Sequence, residues 1–265
     1  MRNVTIALVQ FNSRIGDIEY NVKRGCEFVR QAAEKGADLV VFPELFAGGY
    51  NTEYVTAHKE ELALQASSDV VSDMAKTAGE NGIYVVMPCV IEKDGRYYNG
   101  EYLFNREGEI EGTYSKVHLW DEEAKLFEKG GEYPVFDLDF GKLGLLICYD
   151  AGFPESVRMM ALKGAELVLV SSAFCHLHWK RWNTYFGARA LENTMYVGAV
   201  NATGGAGEEI WFGSNRFYDI TGDSLMEGNL NIEEMQLVSV DLDQVKKARA
   251  AGCYLTDLRP ETYTY

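Results

Sequence analysis

AAEKGADLVVF, residues 32–42, places the end of a helix, a glycine–alanine–acid turn and a nearly continuous apolar strand in one short stretch. An apolar run without alternation is typical of a strand that is covered on both faces. MALKGAELVLV, residues 160–170, repeats the same order. Two related βα halves packed back to back would explain the repeat, although any helix-to-strand connection can use such a turn.

The flanking sequence extends this pattern along the chain. Apolar residues recur at helical spacing over 20–35 after a β-branched run at 4–9, so the chain begins β-α-β. Further helices are predicted at 69–78, 154–163, 185–193 and 242–250. Further strands are predicted at 37–42, 83–91, 96–104, 109–115, 135–140, 143–148, 165–170, 196–200, 210–212, 216–220 and 235–240. The strands at 135–140 and 143–148 are predicted to form a hairpin that turns at Gly141. We therefore expect one α/β domain over 1–265, with helices on both outer faces of two stacked sheets.

The composition argues against several classes of partner. The 265 residues include 40 acidic and 25 basic side chains, a formal charge of −15. Such a balance disfavours nucleic acid and anionic membranes as partners, and no apolar run reaches the roughly 18 residues of a bilayer-spanning helix. The apolar run near the N-terminus is too short for a signal peptide. We therefore expect a cytoplasmic protein whose five cysteines are reduced.

Three segments place a reactive side chain at the end of a predicted strand. Glu44 lies in VVFPELF, Lys116 lies in YSKVHLW, and Cys148 lies in LGLLICYDAGFPE. Each has an ordinary structural explanation when taken singly: a carboxylate that caps a loop, a lysine that reaches solvent, and a cysteine that packs in a core. The combination is more informative, because the three residue types complement one another chemically.

Together these side chains fit one mechanism. A carboxylate within reach of Cys148 can take the thiol proton and later deliver it to a leaving amine. A helix that begins at Pro154 would place its N-terminus close to Cys148 and favour the thiolate. Lys116 and the backbone N–H after Cys148 can stabilise the oxyanion of a tetrahedral intermediate. The sequence therefore predicts a Glu–Lys–Cys hydrolase that passes through a thioester.

FPELF, SKVHLW and ICYDAGFPE resemble the three signature segments of the nitrilase superfamily, also called carbon–nitrogen hydrolases. RALEN (189–193) and DLRPETY (257–263) are also similar to segments of that family. The resemblance implies that Cys148 is the nucleophile, Glu44 the general base and Lys116 the oxyanion-stabilising lysine. It also implies an α-β-β-α sandwich, and a homodimer or larger homo-oligomer that pairs through helices beside the active site and through a C-terminal tail at about 242–265.

The resemblance further implies a second glutamate, four positions before an aromatic residue. In KVHLWDEEAKLFEKG this position is Glu123, because Phe127 supplies the aromatic. Glu123 would orient substrate or water and position Lys116. Its nearest competitors are Glu122 and Glu128, and a solvent-exposed helix residue is the structural alternative.

Several other residues near these segments are candidates for the substrate pocket or the oxyanion site. They are Tyr50, Trp120, Tyr149, Phe153 and Ala173, although ordinary core packing explains most aromatic residues equally well. Cys175, His176 and His178 suggest an alternative, a zinc hydrolase, because the two histidines would share one face of an extended segment. We favour a pocket or interface role for them and expect no metal and no cofactor. The glycine-rich stretch TGGAGEE, 203–209, lacks the lysine of a phosphate loop and is interpreted as a flexible turn.

The residues after Cys148 bear on the substrate. Nitrilases of this family usually carry Trp-Glu after the cysteine, whereas this chain has Tyr-Asp, so nitrile hydrolysis is disfavoured. ω-Amidases and carbamoylases commonly place an arginine soon after that pair, where this chain has Ala151 and Gly152. We therefore expect a small, largely uncharged amide as substrate. An ω-amidase or an N-carbamoyl hydrolase that uses Lys180 or Arg181 is the alternative, and a catalytically silent binding or scaffold protein is a further one.

Overall fold

The computed structural model describes residues 1–206 and 209–263. Its strands are β1 Asn3–Gln10, β2 Leu39–Val41, β3 Ala63–Leu64, β4 Tyr84–Lys93, β5 Arg96–Phe104, β6 Ile110–Ser115, β7 Val135–Leu138, β8 Gly141–Ile147, β9 Leu167–Ser172, β10 Tyr196–Asn201, β11 Thr203–Ala206, β12 Glu209–Phe212, β13 Arg216–Tyr218, β14 Ser224–Glu227 and β15 Glu234–Asp241. Its helices are α1 Ile18–Glu34, α2 Thr52–Leu62, α3 Asp69–Asn81, α4 Glu123–Leu126, α5 Pro154–Leu162, α6 Trp179–Asn193 and α7 Asp243–Ala250. Three short 3₁₀ turns span Cys148–Gly152, His176–His178 and Pro260–Thr262. Within the described residues, no helix combines the length and apolar character needed to cross a bilayer.

The strands form two main sheets with the same topology. Sheet 1 has the order β15-β1-β2-β4-β5-β6, with β3 added beside β4, and sheet 2 has the order β7-β8-β9-β10-β13-β14. Three consecutive strands are parallel in each sheet, β1-β2-β4 in the first and β8-β9-β10 in the second. Short β3 is also parallel to β4, and the other flanking strands of both sheets are antiparallel.

The two copies of the sequence repeat occupy equivalent places in these sheets. In the first copy the Ala37 N–H donates to the Ala32 carbonyl at 3.0 Å, and in the second the Ala165 N–H donates to the Met160 carbonyl at 3.0 Å. The glycine before each alanine has a φ of 79° in the first copy and 93° in the second, which glycine adopts without steric strain. The repeat therefore corresponds to two equivalent βα halves.

Four layers result from this arrangement. Along β1, Ile6 and Leu8 belong to the core that reaches sheet 2, whereas Ala7 and Val9 belong to the core beneath α1 and α3. This division follows from the alternation of side chains along a strand. Helices α5 and α6 pack on the other side of sheet 2. The expected α/β class and the α-β-β-α sandwich are confirmed.

Some element bounds differ from the sequence-based prediction. Helix α2 was not predicted, because it buries only Val55 and Leu62 and so lacks a continuous apolar stripe. Helix α6 begins at Trp179 rather than at 185, and β14 was also missed. Gly141 is not the turn between β7 and β8, since it already pairs with Leu138. Residues 203–206 and 209–212 form a hairpin instead of a simple turn, and residues 207–208 of the predicted turn lie outside the described residues.

The C-terminal segment belongs in part to the chain's own fold. Leu242 and Val245 are buried in the core, and the Arg249 guanidinium donates to the carbonyls of Ala165 and Asn193. From 256 to 263 the described side chains are mostly exposed, and residues 264 and 265 lie outside the described chain. A role of this tail in oligomer contacts stays a prediction, and it concerns the exposed portion.

Candidate active site

The three predicted catalytic side chains converge at one end of the interface between the sheets. Glu44 lies three residues beyond β2, Lys116 directly follows β6, and Cys148 directly follows β8. Ala173 directly follows β9, the neighbour of β8. Strands β2, β8 and β9 belong to the parallel parts of the two sheets, and the carboxyl ends of such strands commonly carry the functional residues of α/β proteins.

The Glu44 carboxylate is buried and accepts three hydrogen bonds. Its Oε1 accepts from Lys116 Nζ at 2.6 Å and from Asn99 Nδ2 at 2.8 Å, and its Oε2 accepts from the Ala173 N–H at 3.1 Å. Burial raises the pKa of Glu44 to about 7, the charge of Lys116 opposes this rise, and the charge of Glu123 adds to it. A carboxyl group that titrates near neutral pH can both accept and return a proton during a reaction.

The Lys116 ammonium lies between two carboxylates. Its Nζ is 2.6 Å from Glu44 Oε1 and 2.8 Å from Glu123 Oε2. Burial favours the neutral amine, but the charges of Glu123 and Glu44 outweigh it and raise the pKa of Lys116. Lys116 is therefore positively charged at neutral pH and supplies a fixed cation in a buried site.

Glu123 is the glutamate of its segment that reaches the site. It is fully buried, its Oε1 accepts from Tyr50 Oη at 2.8 Å, and its Oε2 accepts from the Trp120 N–H at 2.9 Å. The competing glutamates at 122 and 128 are exposed. These contacts hold the Glu123 carboxylate rigidly beside the lysine, which is the position that its predicted role requires.

Cys148 sits at a sharp turn of the chain. Its φ is 47°, a left-handed conformation that residues other than glycine rarely adopt. Burial and the charge of Glu44 raise the pKa of the Cys148 thiol, while Lys116 and the Ala173 N–H oppose that rise. Helix α5 begins at Pro154, as predicted, after a 3₁₀ turn that starts at Cys148, and a contribution of its N-terminus to the thiolate stays a prediction. The resting thiol is neutral and needs a base.

Asn99 belongs to the site although the sequence-based analysis did not identify it. It lies fully buried in β5, and its Nδ2 donates to Glu44 Oε1 at 2.8 Å and approaches Glu123 Oε1 at 3.4 Å. A donor shared by two carboxylates favours their ionised forms. The signal in the sequence that could have identified Asn99 is an asparagine inside a predicted strand, because strands are depleted in this residue.

Asp150 connects the lysine segment to the cysteine segment. Its Oδ1 accepts from the His118 N–H at 2.8 Å and lies 2.9 Å from His118 Nδ1, and its Oδ2 accepts from Tyr114 Oη at 2.6 Å. The Phe153 ring stacks on the His118 ring with centroids 3.6 Å apart. These contacts fasten the turn that follows Cys148 to the segment that follows Lys116.

Two adjoining cavities open beside the catalytic cluster. The first, of about 270 Å³, is lined by Asn12, Ser13, Ile15, Glu44, Tyr50, Asn51, Ala202, Thr203, Gly205 and Trp211. The second, of about 110 Å³, shares Tyr50 and Trp211 with the first and also reaches Trp120 and Cys175. Among the described residues, neither cavity is lined by a lysine or an arginine.

The five predicted binding residues divide into three groups. Tyr50 and Trp120 line these cavities, and Ala173 contributes its backbone N–H to Glu44. The Tyr149 ring packs edge-on against Trp120 at 4.8 Å between centroids, and Phe153 packs against Tyr149 at 5.1 Å. The side chains of Tyr149 and Phe153 therefore support the wall, and neither is among the described side chains that line the two cavities.

The Cys175 segment does not assemble a metal site. Cys175 Sγ lies 3.5 Å from His178 Nδ1, while His176 is exposed. In the part of the chain that the structure describes, no three Cys, His, Asp or Glu side chains are grouped as metal ligands. A catalytic zinc needs three protein ligands, so these residues do not fit a zinc hydrolase.

Comparisons with known proteins identify the family of this chain. Residues 5–250 match the carbon-nitrogen hydrolase family. A 2-oxoglutaramate amidase from Bacillus subtilis (strain 168) is 32% identical over 262 residues, covering 98% of this chain and 99% of that protein. A probable nitrilase from Schizosaccharomyces pombe is 31% identical over 262 residues, covering 97% and 96%. The amidase from Nesterenkonia sp. AN1, solved as a double mutant with acrylamide, matches with a TM-score of 0.86 at 28% identity, covering 98% of this chain and 96% of that one.

The chain therefore belongs to the carbon-nitrogen hydrolase family, within the nitrilase superfamily. It is an amide-hydrolysing enzyme, as the sequence-based analysis predicted.

Proposed function

We propose that this enzyme hydrolyses a small, uncharged amide to a carboxylic acid and ammonia, with Cys148 as the nucleophile. The observation that carries the proposal is the buried cluster of Glu44, Lys116 and Glu123 beside Cys148. That cluster supplies a base that titrates near neutral pH and a permanent cation, and it adjoins a cavity without a basic side chain.

In the first half of the reaction, the Cys148 sulfur attacks the amide carbon while Glu44 takes the thiol proton. The substrate oxygen becomes an oxyanion, which the Lys116 ammonium and the Tyr149 N–H stabilise. Glu44 then delivers its proton to the leaving nitrogen, the C–N bond breaks, and ammonia departs. The acyl group remains on Cys148 as a thioester.

In the second half, water replaces ammonia. Glu44 takes a proton from the water as its oxygen attacks the thioester carbon, and the same oxyanion site stabilises the intermediate. The C–S bond breaks, the sulfur recovers a proton from Glu44, and the acid leaves. Glu123 holds Lys116 in place throughout, because its carboxylate is fixed by Tyr50 and by the Trp120 N–H.

The lining of the larger cavity supports an uncharged substrate. Amide and hydroxyl side chains of Asn12, Ser13 and Asn51 can bind a neutral polar group, whereas a substrate carboxylate lacks a cation there. The amidase from Nesterenkonia sp. AN1 has been solved with acrylamide and with butyramide, and with the acetamide moiety of fluoroacetamide on its active-site cysteine. Small aliphatic amides are therefore the first substrates to test.

A substrate that also carries a carboxylate is the second candidate. Relatives include the 2-oxoglutaramate amidase of Bacillus subtilis and the mouse omega-amidase NIT2. The Arg181 guanidinium lies 5.1 Å from the ring centre of Trp120, which lines the smaller cavity. Arg181 is exposed and, within the described chain, has no hydrogen-bonded carboxylate partner, so it is available to bind an acid. An N-carbamoyl amino acid would use the same cation.

Ammonia release from a panel of substrates tests the proposal. The panel contains butyramide, a glutamine-like ω-amide acid, an N-carbamoyl amino acid and an aliphatic nitrile. We expect turnover of butyramide that disappears in Cys148→Ala and persists in Cys253→Ala, a control at another partly exposed cysteine. Activity that survives in Cys148→Ala would contradict the mechanism.

The same panel distinguishes the two candidate substrates. Turnover confined to the acids, lost in Arg181→Gln but retained in Lys180→Gln, would establish the second candidate in place of the first. Because residues 180 and 181 are neighbours on α6 and both are exposed, the lysine variant controls for the general loss of a positive charge. Turnover of the nitrile alone would contradict both candidates.

We also propose a homodimer that pairs through α5 and α6. These helices pack against each other, and they expose Met159, Leu162 and Leu191. Exposed apolar side chains on adjoining helices are typical of a surface that another subunit covers. We further propose a cytoplasmic location and a single domain over 1–265, both of which are expected from the sequence.

A further inference from the structure

Glu101 is a buried acid that the proposed mechanism leaves without a role. It lies in β5 two residues after Asn99, so both side chains lie on the same face of the strand. Glu101 is fully buried, and neither of its carboxyl oxygens has a hydrogen-bond partner of normal geometry among the described residues. An ionised carboxylate in this position would lose its hydration without compensation.

The ionisable groups around Glu101 increase this penalty. Burial raises the pKa of Glu101 well above its ordinary range, the neighbouring Ser171 hydroxyl opposes part of this rise, and the charges of Asp150 and Glu44 raise the pKa further. Tyr114 on β6 and Cys89 on β4 are the other ionisable groups that interact with it, and both would add negative charge on ionisation. Glu101 is therefore a neutral carboxylic acid at neutral pH and carries an O–H donor.

Ser171 is the polar group that meets Glu101 from the opposite sheet. The Ser171 hydroxyl is buried, interacts with the Glu101 carboxyl group, and has no hydrogen-bond partner of normal geometry in the described chain. It lies near the end of β9, paired with Ile147, the residue before Cys148. Two residues later, the Ala173 N–H donates to Glu44 Oε2.

We propose that Glu101 is a positioning residue, whose carboxylic acid donates a hydrogen bond to Ser171 Oγ and thereby ties sheet 1 to sheet 2 directly behind the active site. The bond joins two groups that otherwise lack partners among the described residues, the Glu101 carboxylic acid and Ser171 Oγ. It holds the end of β9 in the position where the Ala173 N–H contacts Glu44 and Cys148. Because the group is neutral, it adds no negative charge beside Glu44. The kinetic measurements that test this inference rest on the proposed function, whereas the measurements of protonation and stability do not.

Three variants test the role of Glu101: Glu101→Gln, Glu101→Leu and Ser171→Ala. The protonation state of Glu101 is measured by infrared spectroscopy at neutral pH without substrate. The spectrum of Glu101→Gln is subtracted from that of the wild type, and the difference is examined for the carbonyl band of a protonated carboxylic acid. The kinetic measurements are kcat, KM and the acidic limb of the pH–rate profile. Thermal unfolding gives the stability of each variant.

We expect the carbonyl band in the difference spectrum, and an acidic limb in Glu101→Gln that coincides with that of wild type. Glu101→Leu should lower kcat about tenfold with little change in KM, as expected for the loss of one positioning hydrogen bond. Its Tm should nevertheless be unchanged or higher, because removal of the second carboxyl oxygen, which is buried and has no partner among the described residues, offsets the lost hydrogen bond. Ser171→Ala should lower kcat by a similar factor, and the double variant should be no worse than Glu101→Leu.

Three results would overturn the inference. If the acidic limb moves to lower pH in Glu101→Gln, then Glu101 is ionised in the wild type and its charge was raising the pKa of Glu44. If kcat and Tm fall together in Glu101→Leu, the role is structural only. If kcat is unchanged in Glu101→Leu, the residue positions nothing. The infrared and Tm measurements remain interpretable whichever amide proves to be the substrate, so this failure is distinguishable from a failure of the proposed function.

Discussion

Glu44 combines three hydrogen-bond donors with a raised pKa, and this combination sets the behaviour of the whole site. The donors from Lys116, Asn99 and Ala173 favour the ionised carboxylate, yet burial still raises its pKa to about 7. The carboxylate must be ionised in order to take the Cys148 proton. Activity should therefore respond to pH in the neutral range, where ordinary glutamates are already fully ionised.

The first prediction concerns this pH dependence. With a small amide at concentrations well below KM, kcat/KM should fall as the pH decreases through about 7, because protonation of Glu44 removes the base. Glu44→Gln should lower kcat by a factor on the order of 10² to 10⁴, the usual contribution of a general base. The measurement is a pH–rate profile from pH 5 to 9, a range chosen to bracket that value by about two units. An acidic limb near the ordinary pKa of glutamate would contradict the assignment.

The second prediction concerns Asn99. Its amide donates to Glu44 and lowers the pKa of that carboxyl group, so Asn99→Ala should move the acidic limb of the pH profile to higher pH. We also expect a lower kcat, because Glu44 loses one of its orienting contacts. Asn81→Ala serves as a control, since the Asn81 side chain bonds only within α3 at the Thr77 carbonyl. An unchanged acidic limb in Asn99→Ala would mean that Asn99 does not tune Glu44.

At the scale of elements, the 3₁₀ turn Cys148–Gly152 decides where the nucleophile points. Asp150 anchors that turn through His118 and Tyr114. The third prediction is that Asp150→Ala lowers the free energy of unfolding by about 2–5 kcal/mol, because it leaves buried donors without an acceptor. Activity should fall as well, since the turn then loses its attachment to the segment after Lys116.

Urea unfolding of Asp150→Ala and of a control variant tests this prediction. Asp137→Ala is a suitable control, because Asp137 lies on nearby β7 and its ion pair with Lys142 is exposed. We expect the control to change the free energy of unfolding by no more than about 0.5 kcal/mol. Equal effects of the two substitutions would show that the turn does not depend on its buried acid.

At the scale of the whole molecule, the fourth prediction concerns assembly. Leu162 on α5 is 55% exposed in the single chain, and a dimer through α5 and α6 would cover it. Leu162→Asp should therefore convert a dimer to a monomer in light scattering, because it places an unpaired charge in an apolar interface. Ile110→Asp, at an exposed residue of β6 in sheet 1, should leave the dimer intact, because α5 and α6 pack on sheet 2. A wild-type chain that is monomeric at micromolar concentration would refute the expected interface.

The whole molecule also explains which residues of the candidate site were predictable. Glu44, Lys116 and Cys148 stand out in the sequence because each lies at or just beyond the end of a predicted strand and because the three residue types complement one another chemically. Asn99 and Glu101 lie within a strand, where a polar residue is ordinarily taken to face solvent. Both face the interior only because sheet 2 covers β5, and that cover comes from residues far away in sequence.

Periodicity and turn chemistry alone were sufficient for the α/β class, for most strands and for the two βα halves, since those patterns are local to about ten residues. The motif resemblance added the catalytic roles. Local patterns do not contain the equivalence of the two sheets, the raised pKa of Glu44 or the burial of Glu101. These depend on burial and on charges brought together across the interface between the sheets, and such long-range effects exist only once the tertiary structure has formed.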